Sequence, residues 1–298
     1  MNRVDETRGL LLGGLGMLGF SLTLPMTRLA VAELDPVFVG LGRALVAAVL
    51  AAIMLAWRRD PLPARRHLPG LFIVALGVIV GFPLFSSLAM RHVPAAHGAV
   101  VIGLVPLATA VFAVLRTHER PSRRFWVAAF AGSAAVVAFA LVEGGWHLQA
   151  ADGLLLVAVI LCGLGYAEGG RLARELGGWR VISWALVLAA PFIVVPVAMA
   201  AAAHGLHASA RAWAAFGYTG VVSMFLGFWA WYHGLARGGV ARVSQVQLLQ
   251  CFLTLGWAAL LLGEQVSSLT MVTAVLVVAI VALGRQAAIL RPAVENPA

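Results

Sequence analysis

The sequence predicts an all-α polytopic membrane protein whose ten transmembrane helices form two inverted five-helix repeats. Three observations support this fold class: the composition, the spacing of ten apolar segments, and the likeness of the two halves. Of the 298 residues, 62% are hydrophobic and 11% are charged, and the mean hydropathy is +0.95. Soluble domains are nearer half apolar and a quarter charged. Because one water-soluble core of this length cannot bury so much apolar surface, lipid is the expected solvent.

Ten segments are apolar enough to cross a bilayer, which takes about 20 residues of helix. Numbered as spans 1 to 10, they lie near 9–31, 35–57, 68–90, 94–116, 124–142, 152–170, 180–203, 211–233, 241–262 and 266–287. Pro36, Pro94 and Asp152 stand where spans 2, 4 and 6 begin, and such residues are common in the first turn of a helix. The run after Arg8 is long enough to span and has no small-residue cleavage pattern. It is therefore predicted as span 1 and not as a signal peptide.

The arginines indicate the topology. All 21 basic residues are arginine. The face opposite the N-terminus holds only Arg28, Arg91 and Arg211, and Arg43 lies within span 2, which leaves seventeen of the 21 on the N-terminal face. By the positive-inside rule, both termini are cytoplasmic. The net charge of +9 thus reflects topology, and no nucleic-acid partner is predicted. The arginine and alanine bias is typical of a bacterium, which predicts a multi-pass protein of the bacterial inner (cytoplasmic) membrane.

The two halves of the chain share one pattern. A shift of about 145 residues lays spans 1 to 5 over spans 6 to 10 and predicts one repeat at 9–142 and another at 152–287. Span 4, with Pro106 and Thr109, falls on span 9, with Thr254. Because each repeat has an odd number of spans, the second is inverted relative to the first. Inverted repeats with a substrate site near the midplane are typical of secondary transporters that work by alternating access.

Several motifs in these spans resemble those of a known family. The segment 89–107, its continuation 119–122 and the run 261–264 resemble the EamA domain of the drug/metabolite transporter superfamily. Arg43 is similar to the arginine that this family carries in its second span, whereas Cys251 stands where the family often has proline. The resemblance covers residues 9–287. It implies a ten-helix exporter of metabolites with cytoplasmic termini, and bacterial exporters of amino acids, including aromatic ones, are a natural match.

Span 9 carries a polar stripe. At 100° per residue, its polar side chains fall within about a third of the helix circumference. These side chains are Ser244, Gln247, Gln250, Cys251 and Thr254. Two interpretations stay open: the stripe lines a substrate cavity, or it forms hydrogen bonds between helices.

Span 8 carries aromatic residues on one face, among them Tyr218, Phe225 and Trp229. Such a face either lines the substrate path or packs against neighbouring helices, and aromatic residues at helix ends often form the interfacial belt. A cavity that is polar on one side and aromatic on the other suits an amphiphilic substrate. We therefore expect a polar head group at Gln247 and Gln250 and an apolar tail toward Phe225 and Trp229, as in a hydrophobic amino acid.

Three further polar side chains are candidates for the substrate path. Arg43 either captures a substrate carboxylate through its bidentate guanidinium or braces the fold. His97, one turn inside span 4, either gates or relays protons or is a structural histidine. Tyr166 in span 6 is a weaker cavity candidate.

The acidic residues are predicted to be structural. Glu168 is expected to form an interfacial ion pair with Arg171, and Glu119 and Glu264, at helix ends, are each expected to stabilise the start of the next helix. No acidic residue lies at the midplane, where proton-coupled carriers commonly place carboxylates. Proton antiport, exchange and facilitated diffusion therefore all stay open.

Glycine and proline indicate where helices approach and bend. Small residues allow close helix packing, and proline interrupts a helical hydrogen-bond ladder. The glycines are Gly9, Gly13, Gly16, Gly165 and Gly169, and the prolines are Pro25, Pro83, Pro106, Pro191 and Pro196.

Other functions fit the sequence less well. Sugar-phosphate or nucleotide-type carriers need buried cations for their phosphates, and Arg43 is the single basic residue within a span. A drug carrier of the same fold is a further alternative. An intramembrane protease would need a serine motif that 19–23 lacks, or an HExxH motif, which is absent. Neither a cofactor nor a metal site is expected, and the partners are a small-molecule substrate and the bilayer. A monomer is compatible with the sequence, which determines no oligomeric state.

Overall fold

The computed structural model describes residues 3–117, 120–121, 123–143, 149–238, 243–286 and 289–290. The predicted all-α membrane fold is confirmed. Among these described residues, seven segments are long and apolar enough to cross a membrane, and they correspond to spans 1 to 4 and 6 to 8. Shorter apolar helices occupy spans 5, 9 and 10, at Phe130–Phe139, Leu249–Leu262 and Ser268–Ile280.

The spans of the first half include three interrupted helices. Span 1 has two helices, span 3 has a π-helical segment between two α-helices, and span 4 is broken in its middle. In chain order the bounds are Arg3–Ser21 and Thr23–Val31 (span 1), Pro36–Arg58 (span 2), Leu68–Val74, Ala75–Gly81 and Phe82–Met90 (span 3), Ala95–Ile102 and Val105–Thr117 (span 4), and Arg123–Glu143 (span 5). A 3-10 turn, Arg65–His67, precedes span 3.

The spans of the second half repeat two of these irregularities. Span 8 contains a π-helical segment, and span 9 opens with a 3-10 turn. The bounds are Ala150–Leu176 (span 6), Gly178–His204 (span 7), Ala210–Tyr218, Thr219–Gly227 and Phe228–Gly238 (span 8), Ser244–Gln247 and Leu248–Leu262 (span 9), and Ser268–Gln286 (span 10). A two-residue strand, Arg120–Pro121, pairs antiparallel with Ile289–Leu290.

The predicted helix starts are confirmed. Span 2 begins at Pro36, and the Asp35 side chain caps it by accepting from the backbone N–H groups of Val37 and Phe38 at 2.8 and 3.1 Å. Span 4 begins directly after Pro94. Asp152 is the third residue of span 6, where it accepts from a backbone N–H in a capping box.

Span 6 ends at Leu176, six residues beyond the predicted end. The extension carries ion pairs from Arg171 to Glu168 and to Glu175, at the i,i+3 and i,i+4 spacings that stabilise helices. Gly177, with φ of 86°, then ends the helix in a conformation that favours glycine.

Two of the predicted prolines coincide with helix breaks. Span 1 is interrupted at Leu22, three residues before Pro25, and span 4 is interrupted just before Pro106. Proline lacks an N–H and clashes with the carbonyl four residues earlier, so the chain departs from α-geometry at these positions. Pro191 and Pro196, in contrast, lie inside the continuous helix of span 7.

The contacts between spans follow the repeat. Span 1 packs against span 8, and its counterpart, span 6, packs against span 3; spans 2 and 7 pair with each other, as do spans 5 and 10. The predicted close approaches are confirmed at Gly16 and Gly165. A Cβ on Gly16 would lie 2.8 Å from the Gly227 carbonyl oxygen, and one on Gly165 would lie 3.2 Å from the Gly77 Cα. Backbones this close admit no side chain between them.

Candidate functional site

A central cleft lies where interrupted spans of the two repeats meet. Spans 1, 4 and 9 supply its walls, and it is narrow, with room for about one water molecule. The lining residues are Leu24, Ala99, Ile102, Gly103, Gln247, Gln250, Cys251 and Thr254. Interrupted helices around a midplane cavity are the usual architecture of a transporter substrate site.

The break in span 1 determines how span 9 docks. Because Pro25 has no N–H, the Ser21 carbonyl four residues earlier has no donor within its own helix. The Thr254 hydroxyl donates to this carbonyl at 2.8 Å. The indole N–H of Trp257 donates to the Ser21 hydroxyl at 3.1 Å. Thr254 is therefore both a lining residue and an interhelical hydrogen-bond donor. At this position the polar stripe lines the cleft and also bonds two helices to each other.

The break in span 4 brings two helix ends to the cleft. One helix ends at Ile102 and the next begins at Val105. Pro106 deprives the Ile102 carbonyl of its usual donor. A helix C-terminus carries partial negative charge and an N-terminus partial positive charge. The cleft therefore offers complementary partial charges for an ammonium group and a carboxylate.

The two glutamines of span 9 supply the polar side chains of the cleft. Gln247 is buried, and its side chain interacts with the Tyr166 hydroxyl of span 6. The Oε1 atom of Gln250 is buried and finds no hydrogen-bond partner among the described residues. Leaving a buried polar group unsatisfied costs about 1 to 3 kcal/mol. The Gln250 Oε1 atom is thus available to accept a hydrogen bond from a donor of a bound molecule.

Arg43 lies behind this cleft and is 1% exposed. Its Nη1 atom donates to the Thr27 hydroxyl at 3.4 Å, while its Nε atom has no hydrogen-bond partner among the described residues. On span 6, Cys162 hydrogen-bonds with Tyr166, and Tyr166 in turn contacts Gln247. A row of polar contacts therefore runs from span 6 to Gln247. The bond to Thr27 braces span 2 on span 1, and the Nε–H remains a free donor.

His97 has a partner that the sequence analysis missed. Its Nε2 atom lies 2.7 Å from Oδ1 of Asp152, and both side chains are buried. The imidazole ring also packs against Phe139 at 5.0 Å between centroids. The pair joins span 4 of the first half to span 6 of the second. The sequence did contain a signal for this pair. His97 and Asp152 each lie in the first turn of their helix, and the predicted topology starts both helices on the same side of the membrane.

The aromatic residues of span 8 do not share one cavity with the glutamines. Phe225 and Trp229 line a separate cleft toward spans 2 and 7, and the Tyr218 hydroxyl donates to the Gly19 carbonyl at 3.1 Å. The expectation of a polar head at the glutamines and an apolar tail at Phe225 and Trp229 is therefore wrong. The reason is the π-helical segment Thr219–Gly227, because i→i+5 bonding rotates the following residues away from an α-helical projection.

A buried aromatic cluster adjoins the glutamines instead. Its members are Phe20, Tyr166, Phe228, Trp231 and Tyr232, from spans 1, 6 and 8. Ring centroids lie 4.9 Å apart for Phe20 and Phe228, and 5.8 Å apart for Tyr166 and Trp231. Because Tyr166 also contacts Gln247, the cluster is an aromatic surface directly behind the polar side of the cleft.

The remaining sequence candidates are structural or lie outside the described residues. Glu168 pairs with Arg171 as predicted, at 2.7 Å, but its side chain is buried and not interfacial as expected. Ser244 begins the 3-10 turn of span 9, and its side chain lies outside the described residues. Glu119 also lies outside them. Within the described part of the chain, no group of three His, Cys, Asp or Glu residues is placed to hold a metal ion.

Carboxylates connect the two halves on the face predicted to hold only Arg28, Arg91 and Arg211. We call it the arginine-poor face, and the opposite one the arginine-rich face. The Glu264 carboxylate accepts from the backbone N–H groups of Ala95 and Ala96 at 2.9 and 2.8 Å. The end of span 9 thereby caps the start of span 4, whereas the sequence predicted that Glu264 stabilises the start of the next helix, span 10. Nearby, Glu33 accepts from the backbone N–H and the hydroxyl of Ser209, and these bonds lower the pKa of the Glu33 carboxyl.

The family profile of the EamA-like transporter family matches residues 7–141 and again residues 149–284. The chain belongs to the EamA-like transporter family. It is a membrane transporter of the drug/metabolite superfamily with two EamA domains, as the resemblance predicted.

Two similar proteins come from Bacillus subtilis (strain 168). The uncharacterized transporter YdeK is 46% identical over 288 residues, which cover 94% of this chain and 98% of YdeK. The uncharacterized transporter YcbK is 25% identical over 245 residues, which cover 78% of this chain and 77% of YcbK. One protein of known crystal structure shares the fold of this EamA-like transporter, with a TM-score of 0.60 and 18% identity over 93% of this chain and 96% of its own.

Proposed function

We propose that this EamA-like transporter exports small metabolites, chiefly amino acids with apolar or aromatic side chains, from the bacterial cytoplasm by alternating access around the central cleft. Both termini are then cytoplasmic in the inner membrane. The observation that carries the proposal is the buried Oε1 atom of Gln250, which has no hydrogen-bond partner among the described residues and lies beside Gln247 at the junction of the interrupted spans 1, 4 and 9.

The lining of the cleft favours an amino acid over a phosphorylated substrate. Its polar groups are two neutral amides, a hydroxyl, a thiol and the helix ends at the break in span 4. Such groups suit a zwitterion, whereas phosphates call for arginine or lysine, and neither residue lines the cleft. The remaining lining residues, such as Leu24 and Ile102, are apolar and suit a hydrophobic side chain.

The cleft is narrow in this structure, with room for about one water molecule. A substrate of any size therefore requires the cleft to widen, as alternating access provides.

Counterflow in proteoliposomes tests this proposal. Proteoliposomes that contain the purified protein are loaded with unlabelled leucine or phenylalanine. Uptake of the labelled compound is then followed with and without a pH gradient. Labelled glucose 6-phosphate serves as the comparison. We expect counterflow of the amino acids but not of the sugar phosphate. Loss of about 1.4 kcal/mol of transition-state binding corresponds to a tenfold lower rate. Gln247→Leu with Gln250→Leu should lower the rate by about that factor or more.

Gln265→Leu is the matched control, because it makes the same change at an exposed position outside the cleft. It should transport at the wild-type rate. Unchanged amino-acid counterflow in the double variant, or counterflow of the sugar phosphate alone, would refute the proposal.

A further inference from the structure

A second cleft lies between spans 2, 7 and 8 and shares no lining residue with the central one. Its volume is about 150 Å³, and it opens near the ends of these spans on the arginine-rich face. The lining residues are Met54, Arg58, Trp179, Ser183, Phe225, Trp229 and His233. Three aromatic side chains, one methionine and three polar side chains are an amphiphilic lining.

The polarity of this cleft changes along the membrane normal. Phe225 and His233 are eight residues apart, which is about 12 Å at 1.5 Å per residue. Phe225 lies near the middle of span 8, whereas His233 lies near its arginine-rich end. On span 2, Met54 lies one turn deeper than Arg58 in the same way. The cleft is therefore cationic and polar at the membrane surface and apolar toward the bilayer centre.

Arg58 has a free charge at the polar end. Its guanidinium carbon lies 5.8 Å from the ring centroid of Trp57 and 5.5 Å from that of Trp179. These stacking contacts hold the side chain in place. Asp60, the nearest carboxylate in sequence, instead accepts from Arg180 Nε at 2.6 Å. Arg58 thus has no ion pair with any residue that the structure describes.

The other polar groups reinforce this preference for an anion. Among the residues that the structure describes, no acidic residue lines the cleft. The Nδ1 atom of His233 is buried and has no hydrogen-bond partner in the described part of the chain. The hydroxyl of Ser183 is a further potential donor. An oxyanion at this level would meet a guanidinium, a hydroxyl and an imidazole.

The mouth of the cleft faces lipid. Trp229, which lines the cleft, is 42% exposed, and Trp57, which stacks on Arg58, is 77% exposed; both belong to spans long and apolar enough to cross the bilayer. Tryptophan is enriched at the membrane interface, where one end of the ring is apolar and the other meets polar groups. A molecule can therefore reach the cleft sideways from the leaflet without passing through the central site.

We propose that this cleft binds one anionic phospholipid from the leaflet on the arginine-rich face. Its phosphate contacts Arg58 and the hydroxyl of Ser183, and its acyl chain lies along Met54, Trp229 and Phe225. Basic pockets between transmembrane helices recognise anionic headgroups in this way. The polarity gradient matches a phospholipid, whose charge lies at the surface and whose chains point to the bilayer centre.

Native mass spectrometry of the purified full-length protein, incubated with phosphatidylglycerol or phosphatidylcholine, tests the proposal. We expect the wild type to retain one phosphatidylglycerol but not phosphatidylcholine. Arg58→Gln should lower the retained phosphatidylglycerol by about fivefold, the usual effect of one arginine near an anionic lipid. The matched control is Arg59→Gln, because Arg59 is the adjacent exposed arginine and does not line the cleft. It should behave as the wild type does.

Three outcomes would overturn the assignment. Equal retention of the two lipids by the wild type would remove the headgroup preference, whatever the variants do. Equal losses in Arg58→Gln and Arg59→Gln would mean a diffuse attraction and not a site. Displacement of the lipid by glycerol 3-phosphate, leucine or phenylalanine would assign the cleft to a soluble ligand. The proposal does not rest on amino-acid export, so its failure leaves the counterflow result unaffected.

Discussion

At the scale of single residues, proline positions determine which polar groups the cleft receives. Pro25 frees the Ser21 carbonyl, and the Thr254 hydroxyl occupies it at 2.8 Å. Pro106 likewise frees the Ile102 carbonyl beside Gln250. Hydrocarbon supplies no alternative donor, so each freed carbonyl requires a side chain, water or a ligand. The Thr254 hydroxyl satisfies the Ser21 carbonyl, whereas the Ile102 carbonyl lies at the cleft.

Replacing Thr254 by valine tests the first of these contacts. We expect Thr254→Val to lower the free energy of unfolding by about 1 kcal/mol, because it leaves the buried Ser21 carbonyl without its donor. The midpoint of thermal unfolding in detergent should fall accordingly. Thr254→Ser keeps the hydroxyl and is the control, and it should be the more stable variant. Equal midpoints for the two variants would show that the hydrogen bond contributes nothing.

At the scale of elements, the irregular segments of the two halves correspond. The π-helical segments Ala75–Gly81 and Thr219–Gly227 lie about 145 residues apart, the offset of the repeat. π-helical turns are frequent at functional sites. The breaks in spans 1 and 4 and the 3-10 start of span 9 all adjoin the central cleft. Spans 2 and 7, which do not line it, are continuous.

Glu264 connects two of the elements that line the cleft. Its carboxylate caps span 4 from the end of span 9, so losing this cap should free the two spans from each other on the arginine-poor face. We expect Glu264→Gln to raise the rate at which a membrane-impermeant maleimide modifies Cys251 from that face. The expected factor is about fivefold, since the interaction of an acid with a helix N-terminus is worth up to about 1 kcal/mol.

The measurement is made in a Cys162→Ala background, because Cys162 and Cys251 are both free thiols. Glu175→Gln is the control. It removes a carboxylate that pairs with Arg171 on the arginine-rich face, and it should leave the rate unchanged. A rate that Glu264→Gln does not alter would mean that the cap plays no part in closing the cleft.

At the scale of the whole molecule, the order of helix pairing is preserved when the two halves are exchanged. The sequence pattern of ten spans predicts seventeen of the 21 arginines on one face. We therefore expect both termini on that face, which the positive-inside rule assigns to the cytoplasm.

Single cysteines in a background without Cys162 and Cys251 test this orientation. A membrane-impermeant maleimide applied to intact cells should label His207→Cys, in the exposed loop between spans 7 and 8. It should not label Asn2→Cys or Ala298→Cys until the membrane is permeabilised. Labelling of one terminus alone in intact cells would make the number of spans odd and would abolish the inverted arrangement.

The sequence by itself determined the features that depend on one helix at a time. Hydropathy predicts the number of spans, and capping residues predict the helix starts at Pro36 and Asp152. The period of the helix places Gln247, Gln250 and Thr254 on one face. Each depends on residues that are close in the chain. Their physical causes, the solvation of the backbone and the geometry of a helical turn, act locally.

Only the tertiary structure decided which helices meet and which side chains they bring together. The pair of His97 with Asp152, the Glu264 cap and the separation of Phe225 from the glutamines all depend on contacts between distant segments. Lipid is as apolar as the helix surfaces, so hydropathy does not determine which faces pack. A π-helical segment also rotates everything that follows it. The packing of small residues and the satisfaction of buried polar groups determine which helices meet. Both are properties of the assembled bundle.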